Sequence, residues 1–408
     1  MKSYNKYDKY IFLLIVSLVT GSFGGSLQIP RLLAILFMPA MLKVRGQCRF
    51  YTTKLRQIII AFIVFAAFSL VWTPDFINGV KHVVYFVVHF LLFFEILIFS
   101  RMAKDPIKSI VAGWLVFIIC CSLISVWELF TDQHLSLSKQ ESDSVYNMGG
   151  GEIIARRFTA VTFYNYNGYN TVLCFAVPWA FYGLISANNL RQRILCISCV
   201  LLPLIFILFN ASRGALLSLA IYFIIYVIFC PSRKVKIFSV VAFVAILYYA
   251  ITELSDLLVL ITARASNLGM FSDNARFSIW GNALKAYFDT FGIGTGAGGL
   301  QIAMEKYAKG DISITHNMLL ELLVQYGFVF AGIFVVFVFK LFKKSIHLRD
   351  KNRRMTLLMV FCAFPLYAII DSGYLQSAPL FAFFASVYIF ANLDIIKICN
   401  NEQVGFSN

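Results

Sequence analysis

Charge is what this sequence has least of. Only 13% of its 408 residues are charged, against roughly 25% in a soluble domain. Acids are scarcer than bases, with 20 Asp and Glu against 35 Lys and Arg. Such a chain does not cover itself with polar surface, which excludes an ordinary soluble enzyme. Its nine cysteines avoid the two longest polar stretches, about 128–166 and 252–316, so no external disulfide framework or zinc site is expected. The pairs Cys120-Cys121 and Cys196/Cys199 read as small apolar helix residues. Internal repeats of solenoid period and low-complexity tracts are absent too, which leaves one polytopic membrane domain over residues 1–408.

What is present is apolar. Hydrophobic residues make up 60% of the chain and aromatics 16%, with a mean hydropathy of +0.78. Runs long enough to cross a bilayer fall at about 9–23, 27–42, 57–72, 79–100, 107–127, 167–187, 194–209, 214–230, 235–251, 318–339, 355–371 and 375–396, about twelve spans. The expected fold class is therefore an all-α integral membrane protein. The first run follows Lys2, Lys6 and Lys9, which fits a cleaved signal peptide as well as an uncleaved helix; eleven further spans favour the helix.

Lys and Arg set the orientation, because cytoplasmic loops are enriched in them. With the N-terminus inside, the short inner segments hold about two thirds of the 35 Lys and Arg. An even span count then puts both termini in the cytoplasm and makes 128–166 and 252–316 extracytoplasmic. The net charge of +15 is explained by topology, with no nucleic-acid partner.

Arg213 stands against that charge bias. It interrupts the uncharged stretch 194–230 at "NASRGALL", the turn of a helical hairpin on the outer side. One arginine there could snorkel to lipid phosphate or cap a carbonyl. It has company, however. "ARRFTAVTFYNYNGYN" brings Arg156 and Arg157 to the same level, and "DNARFSIWGNALKAYFDTFGIGTGAGGLQ" begins with Arg276, reads as a short amphipathic helix through Trp280 and Leu284, and ends in a glycine-rich turn. "SITHNMLLELLVQYGFV" then delivers His316 to the top of the next span.

Arginine suits phosphate because its planar fork donates two parallel hydrogen bonds and keeps its charge when desolvated. "GIGTGAGG" lacks the Lys-Ser/Thr ending of a P-loop and the strand of a dinucleotide fold, so its glycines are read as permitting close backbone packing. Below His316, the residues Asn317, Glu321 and Gln325 recur every four positions and form one polar stripe expected to line a cavity. Glu321 lies about 140° around the helix from His316, which disfavours direct pairing; Asp371, in "IIDSGYLQSAP", is the more suitable partner. His89 and Glu95 are expected to make inter-helix hydrogen bonds.

Together these stretches resemble the O-antigen ligase and O-antigen polymerase superfamily of bacterial envelope glycosyltransferases. The resemblance runs over about residues 156–340 through "RFTAVTFYNYNGYNTVLCFAVP", "NASRGALLSLAIYF", "ARFSIWGNALKAYFDTFGIGTGAGG" and "THNMLLELLVQYGFV", and the spacing of Arg157 and Gly168 fits it. It implies a GT-C-like helical fold in the bacterial plasma membrane with its active site outward. The donor would be a glycan on undecaprenyl diphosphate, the acceptor another glycan or lipid A-core, and transfer inverting without cofactor or metal. Carried over by position, Arg213 and Arg276, with Arg157, would bind the diphosphate and His316 would activate the acceptor hydroxyl, with Glu321 and Asp371 as further catalytic candidates.

Metal independence has separate support, since the first outer loop, "GSFGGSLQIPR", has no acid. Glu141 to Asp143 sit in a polar run read as a solvated loop. A flippase or transporter of lipid-linked oligosaccharide is the alternative. It should show repeats and mid-bilayer ionisable groups in both halves, whereas the unusual residues here gather at one surface in the second half.

Overall fold

The computed structural model describes residues 5–45, 53–135, 145–148, 152–155, 158–230, 237, 241, 273–308 and 314–404. Arg156, Arg157, Glu141–Asp143 and the span expected at 235–251 lie outside the described residues. Each of the other eleven expected spans is helical. In chain order the helices are α1 (Lys6–Val16), α2 (Ile29–Arg45), α3 (Thr53–Phe68), α4 (Phe76–Met102), α5 (Pro106–Thr131), α6 (Tyr166–Ser186), α7 (Leu190–Phe209) and α8 (Arg213–Phe229). After these come α9 (Asp273–Phe288), α10 (Leu300–Ala308), α11 (Met318–Ile346), α12 (Lys351–Tyr367) and α13 (Ala378–Val404).

The chain is not helical throughout. In the first long polar stretch β1 (Val145–Met148) pairs antiparallel with β2 (Glu152–Ala155), Val145 opposite Ala155. Among the described residues six segments are long and apolar enough to cross a membrane: Lys54–Val71, α4, α5, α6, α7 and α11. Arg213–Phe229 and Ala378–Asp394 are apolar but shorter. This is a multi-pass helical membrane protein; the full count of twelve is an expectation from sequence.

Helix starts follow from side-chain acceptors placed where the first turn leaves N–H groups without partners. Asp75, Asn165, Asn189, Asn317 and Asp350 cap α4, α6, α7, α11 and α12 in this way. Asn5 and Asp8 form a capping box on α1. Asp8 is almost fully buried and accepts from Lys104 N, Asp105 N and Ser109 Oγ at 3.1, 3.0 and 3.1 Å. A buried carboxylate so thoroughly satisfied ties the start of α1 to the start of α5.

The fold divides into two compact units. The first holds Met1–Phe117, Ser278–His347 and Ser372–Asn408, and the second holds Ile118–Phe277 and Leu348–Asp371. In the first, α4 packs against α1, α2, α3 and α13. Arg31 of α2 donates through Nε to His89 Nε2 of α4 at 3.0 Å, the inter-helix bond expected of His89. Glu95 differs: it is fully buried, and neither carboxyl oxygen has a hydrogen-bond partner among the described residues. In the second unit α12 packs against α8 and α6, and α6 against α7.

Within the first unit the glycine-rich segment inserts into a break in α11. Gly327 has φ +78° and ψ 177°, a conformation open essentially only to glycine. The break releases carbonyls that the glycine segment satisfies: Thr295 N donates to Val324 O at 2.8 Å and Gly296 N to Gln325 O at 3.0 Å. The same segment is gripped by the α3–α4 turn, where Trp72 Nε1 donates to Gly294 O at 2.9 Å and Thr73 Oγ1 to Ala297 O at 2.8 Å. A Cβ on Gly294 would lie 2.6 Å from Gln325 O, and one on Gly298 2.6 Å from Gly79 N. The glycines therefore permit close backbone packing, and irregular backbone is tolerated here because protein satisfies it.

Candidate functional site

The second unit presents the turn between α7 and α8. Asn210 ends α7 and is fully buried. Its Oδ1 accepts from Thr159 N at 2.8 Å, while its Nδ2 donates to Thr159 O at 3.0 Å and to Asn170 Oδ1 at 2.8 Å. One amide thus joins the segment before α6, α6 itself and the turn. Ala211 follows with φ +47°, a strained conformation for a residue with a side chain. Arg213 is the first residue of α8, exposed, with no hydrogen bond or ion pair among the described residues.

A cation at a helix N-terminus meets the positive end of the helix dipole, which costs a few tenths to about 1 kcal/mol. The same place is favourable once an anion arrives, since backbone N–H groups and guanidinium then point at one ligand. Arg276, half-buried at the end of the first turn of α9, donates through Nη1 to Ile369 O at 3.2 Å.

Glu128 and Asn210 are organising residues that sequence reading missed. The Glu128 carboxylate is almost fully buried and accepts from Ala160 N at 3.0 Å, from Val161 N at 3.0 Å and from His134 Nδ1 at 3.2 Å. His134 stacks on Phe158 with ring centroids 4.3 Å apart. The segment entering α6, which follows Arg157 directly, is therefore fixed at Thr159 by Asn210 and at Ala160 and Val161 by Glu128. An acid at the end of a span is a weak signal in sequence, because its backbone partners Ala160 and Val161 lie about 30 residues away.

Asp371 belongs to the same unit. Asn165, the cap of α6, accepts from Gly168 N at 2.7 Å and places its Nδ2 3.5 Å from Asp371 Oδ1. A Cβ on Gly168 would come within 2.9 Å of Asp371 Oδ2. Glycine at 168 lets this carboxylate rest on the first turn of α6, where the helix dipole favours it.

His316 is in the first unit, just before α11. Its φ is +45°, so its backbone sits in the left-handed region at a cost of order 1 kcal/mol. Neighbours on both sides enforce it. Thr315 is fully buried and its O accepts from Trp280 Nε1 of α9 at 2.9 Å. Asn317 Oδ1 accepts from Leu319 N at 3.0 Å and Leu320 N at 3.1 Å. Trp280 is itself packed on the apolar cluster of Ile279, Ala283, Ala286, Met304 and Val324. The imidazole is thereby held half-exposed at the head of α11.

The polar stripe below it meets protein, in place of the open cavity expected. Glu321 Oε1 accepts from Gly373 N at 2.7 Å and Oε2 from Tyr374 N at 3.1 Å, capping the 3₁₀ turn Tyr374–Gln376. Gln325 Oε1 accepts from Gly298 N at 3.2 Å. Polar groups at this depth need partners, and backbone N–H groups supply them. The pairing of His316 with Asp371 would join residues of different units and stays a proposal.

Residues 198–337 match the family model described as O-antigen ligase. Over this segment the chain is similar to the O-antigen ligase family. The matched segment contains Arg213, Arg276, His316 and Glu321, while Arg157 and Asp371 lie outside it. A relative is the teichuronic acid biosynthesis protein TuaE of Bacillus subtilis (strain 168), 25% identical over 315 residues. That match covers 71% of this chain and 61% of TuaE, so the chain spans less than two thirds of the length of this relative.

Proposed function

We propose that the protein is a lipid-diphosphate-dependent glycosyltransferase of the plasma membrane, which polymerises or ligates a glycan carried on undecaprenyl diphosphate at the outer face. One observation carries this reading. The segment that matches the O-antigen ligase model holds Arg213, Arg276 and one histidine, and this histidine, between buried Thr315 and the helix cap Asn317, has a left-handed backbone conformation.

In this reading Arg213 and Arg276, together with Arg157, bind the donor diphosphate. The neutral imidazole of His316 takes the proton of the acceptor hydroxyl as its oxygen attacks the anomeric carbon. The bond from that carbon to the diphosphate oxygen breaks, the electron pair leaves with undecaprenyl diphosphate, and configuration inverts. The arginines offset the charge that develops on the leaving group. Glu321 has both oxygens committed to backbone N–H groups, which supports a positioning role. Asp371, resting on α6, could orient an imidazole. No metal shares the task, and the acceptor is a second lipid-linked glycan or lipid A-core.

The test is transfer from a lipid-linked glycan in detergent. His316→Ala should bind donor yet lose transfer by roughly 10²–10⁴-fold, the usual scale for a general base, and His316→Gln should be nearly as damaged. Chelator should leave the wild-type rate unchanged. Near wild-type transfer by His316→Gln would remove the base from this residue. Movement of lipid-linked oligosaccharide across vesicles without any transfer would establish the flippase alternative.

A further inference from the structure

The first unit contains a second feature that the proposed reaction does not use. A groove of about 730 Å³ opens between α3, α4, α11 and α13, within the range of small-ligand sites. Its long walls are phenylalanine. Phe62 meets Phe330 at a centroid distance of 5.1 Å, and Phe384 meets Phe334 at 5.7 Å.

Its polar residues lie at one end. Lys54 starts α3, eight residues or about 12 Å before Phe62, and Lys340 lies ten residues or about 15 Å beyond Phe330 along α11. Since Phe62 and Phe330 are in contact, the two lysines come to a similar level. Lys344 reaches the same end from the next turn, where its Nζ donates to Asn392 Oδ1 of α13. All three lysines line the groove, and no Asp or Glu does among the described residues. Lys54 and Lys340 are exposed and make no ion pair among the described residues. The opposite end is closed by Met318, Leu322 and Leu375, all buried and apolar.

We propose that this groove binds an anionic glycerophospholipid, its phosphate at Lys54, Lys340 and Lys344 and its acyl chains along the phenylalanine walls. Charge complementarity selects the occupant. A neutral lipid leaves the exposed charges of Lys54 and Lys340 without a counter-ion. A lipid-diphosphate donor engaged at His316 would bring its charge to the Met318 end, where the groove offers only carbon. Each lysine contributes about fivefold to affinity for an anionic headgroup. By the charge rule the lysine end faces the inner leaflet, so the site is independent of the proposed chemistry and can fail or stand alone.

Gly332 makes the proposal testable. It lines the groove, and a Cβ built on it meets nothing within 4 Å, so a side chain there starts in open space on the groove wall. The full chain in detergent is titrated with dioleoyl phosphatidylglycerol, dioleoyl phosphatidylcholine or undecaprenyl phosphate and read by native mass spectrometry, with melting temperature as the folding control. Wild type should retain phosphatidylglycerol at least about tenfold better than phosphatidylcholine. Gln at all three lysines should abolish the preference, and Gly332→Phe should abolish retention with the lysines intact. Undiminished retention by Gly332→Phe would reduce the lysines to surface cations and overturn the groove. Equal retention of phosphatidylcholine, or displacement of phosphatidylglycerol by equimolar undecaprenyl phosphate, would overturn the assigned occupant.

Discussion

The break in α11 makes a sharp prediction, because two glycines five residues apart in one helix should respond oppositely to the same change. Gly327→Ala adds a methyl group 2.5 Å from Ile293 O and 2.6 Å from Gly292 O at φ +78°. Holding a residue with a side chain in that region costs about 1–3 kcal/mol, and overpacking against backbone adds about 1–3 kcal/mol. A loss of roughly 2–6 kcal/mol follows. Gly332→Ala meets open space at helical φ, removes a flexible glycine and should be neutral or stabilising by up to about 1 kcal/mol. The assay is thermal unfolding of the detergent-solubilised protein, followed by tryptophan fluorescence, since Trp72 donates to Gly294 O inside the disturbed segment. Gly327→Ala should melt several degrees below wild type and Gly332→Ala at or above it. Equal melting temperatures for the two variants would refute the claim that the glycine segment is locked into the break.

Other perturbations test the supports of the site. Asn210→Ala leaves Thr159 N, Thr159 O and Asn170 Oδ1 without their buried partner and should cost roughly 2–5 kcal/mol by the same melting assay. Asn210→Asp, which keeps only the acceptor, should recover a minor part. Glu321→Gln retains shape but replaces one acceptor of two backbone N–H bonds with a donor; it should lower transfer while leaving the pH profile of the rate unchanged, whereas a catalytic carboxylate would shift that profile. Where exposed Asp289 and Lys306 meet half-buried Tyr307, the hydrogen bond from Lys306 lowers the Asp289 pKa, and the bond to Asp289 raises that of Lys306. Their contribution to stability is present above about pH 4 and below about pH 10 and disappears outside that window. The small melting difference between wild type and Lys306→Gln should therefore vanish on acidification below pH 4; persistence there would assign it to packing.

Apolar runs of span length gave nearly every helix, because burying backbone in lipid leaves few alternatives to an α-helix. Two features escaped that logic. The hairpin of Val145–Met148 with Glu152–Ala155 lies in a polar stretch whose composition carries no membrane signal. Conversely, the stripe Asn317, Glu321, Gln325 was legible as a face, but its surroundings were not. Periodicity places residues on one side of a helix and says nothing of what packs there; Gly298, Gly373 and Tyr374 come from distant parts of the chain. Glu321 and Gln325 hold backbone in place for that reason, despite looking like cavity residues.

The residues proposed to carry the chemistry share one property: they oppose their surroundings. Arg213 is a cation in an apolar stretch and at the wrong end of a helix dipole, and His316 is a bulky residue in a left-handed conformation. The first costs a few tenths to about 1 kcal/mol and the second about 1–3 kcal/mol, and each cost is offset if an anion or a reacting hydroxyl occupies the place. Glu128 and Asn210 show the complementary case. Their polar groups are fully satisfied and nothing about them is strained, so sequence gives no reason to single them out. Yet the segment from Thr159 to Val161 and the turn at Arg213 are positioned by those two side chains. Loss of transfer on removing Asn210 with Arg213 intact would show that the placement of Arg213 depends on this buried clasp.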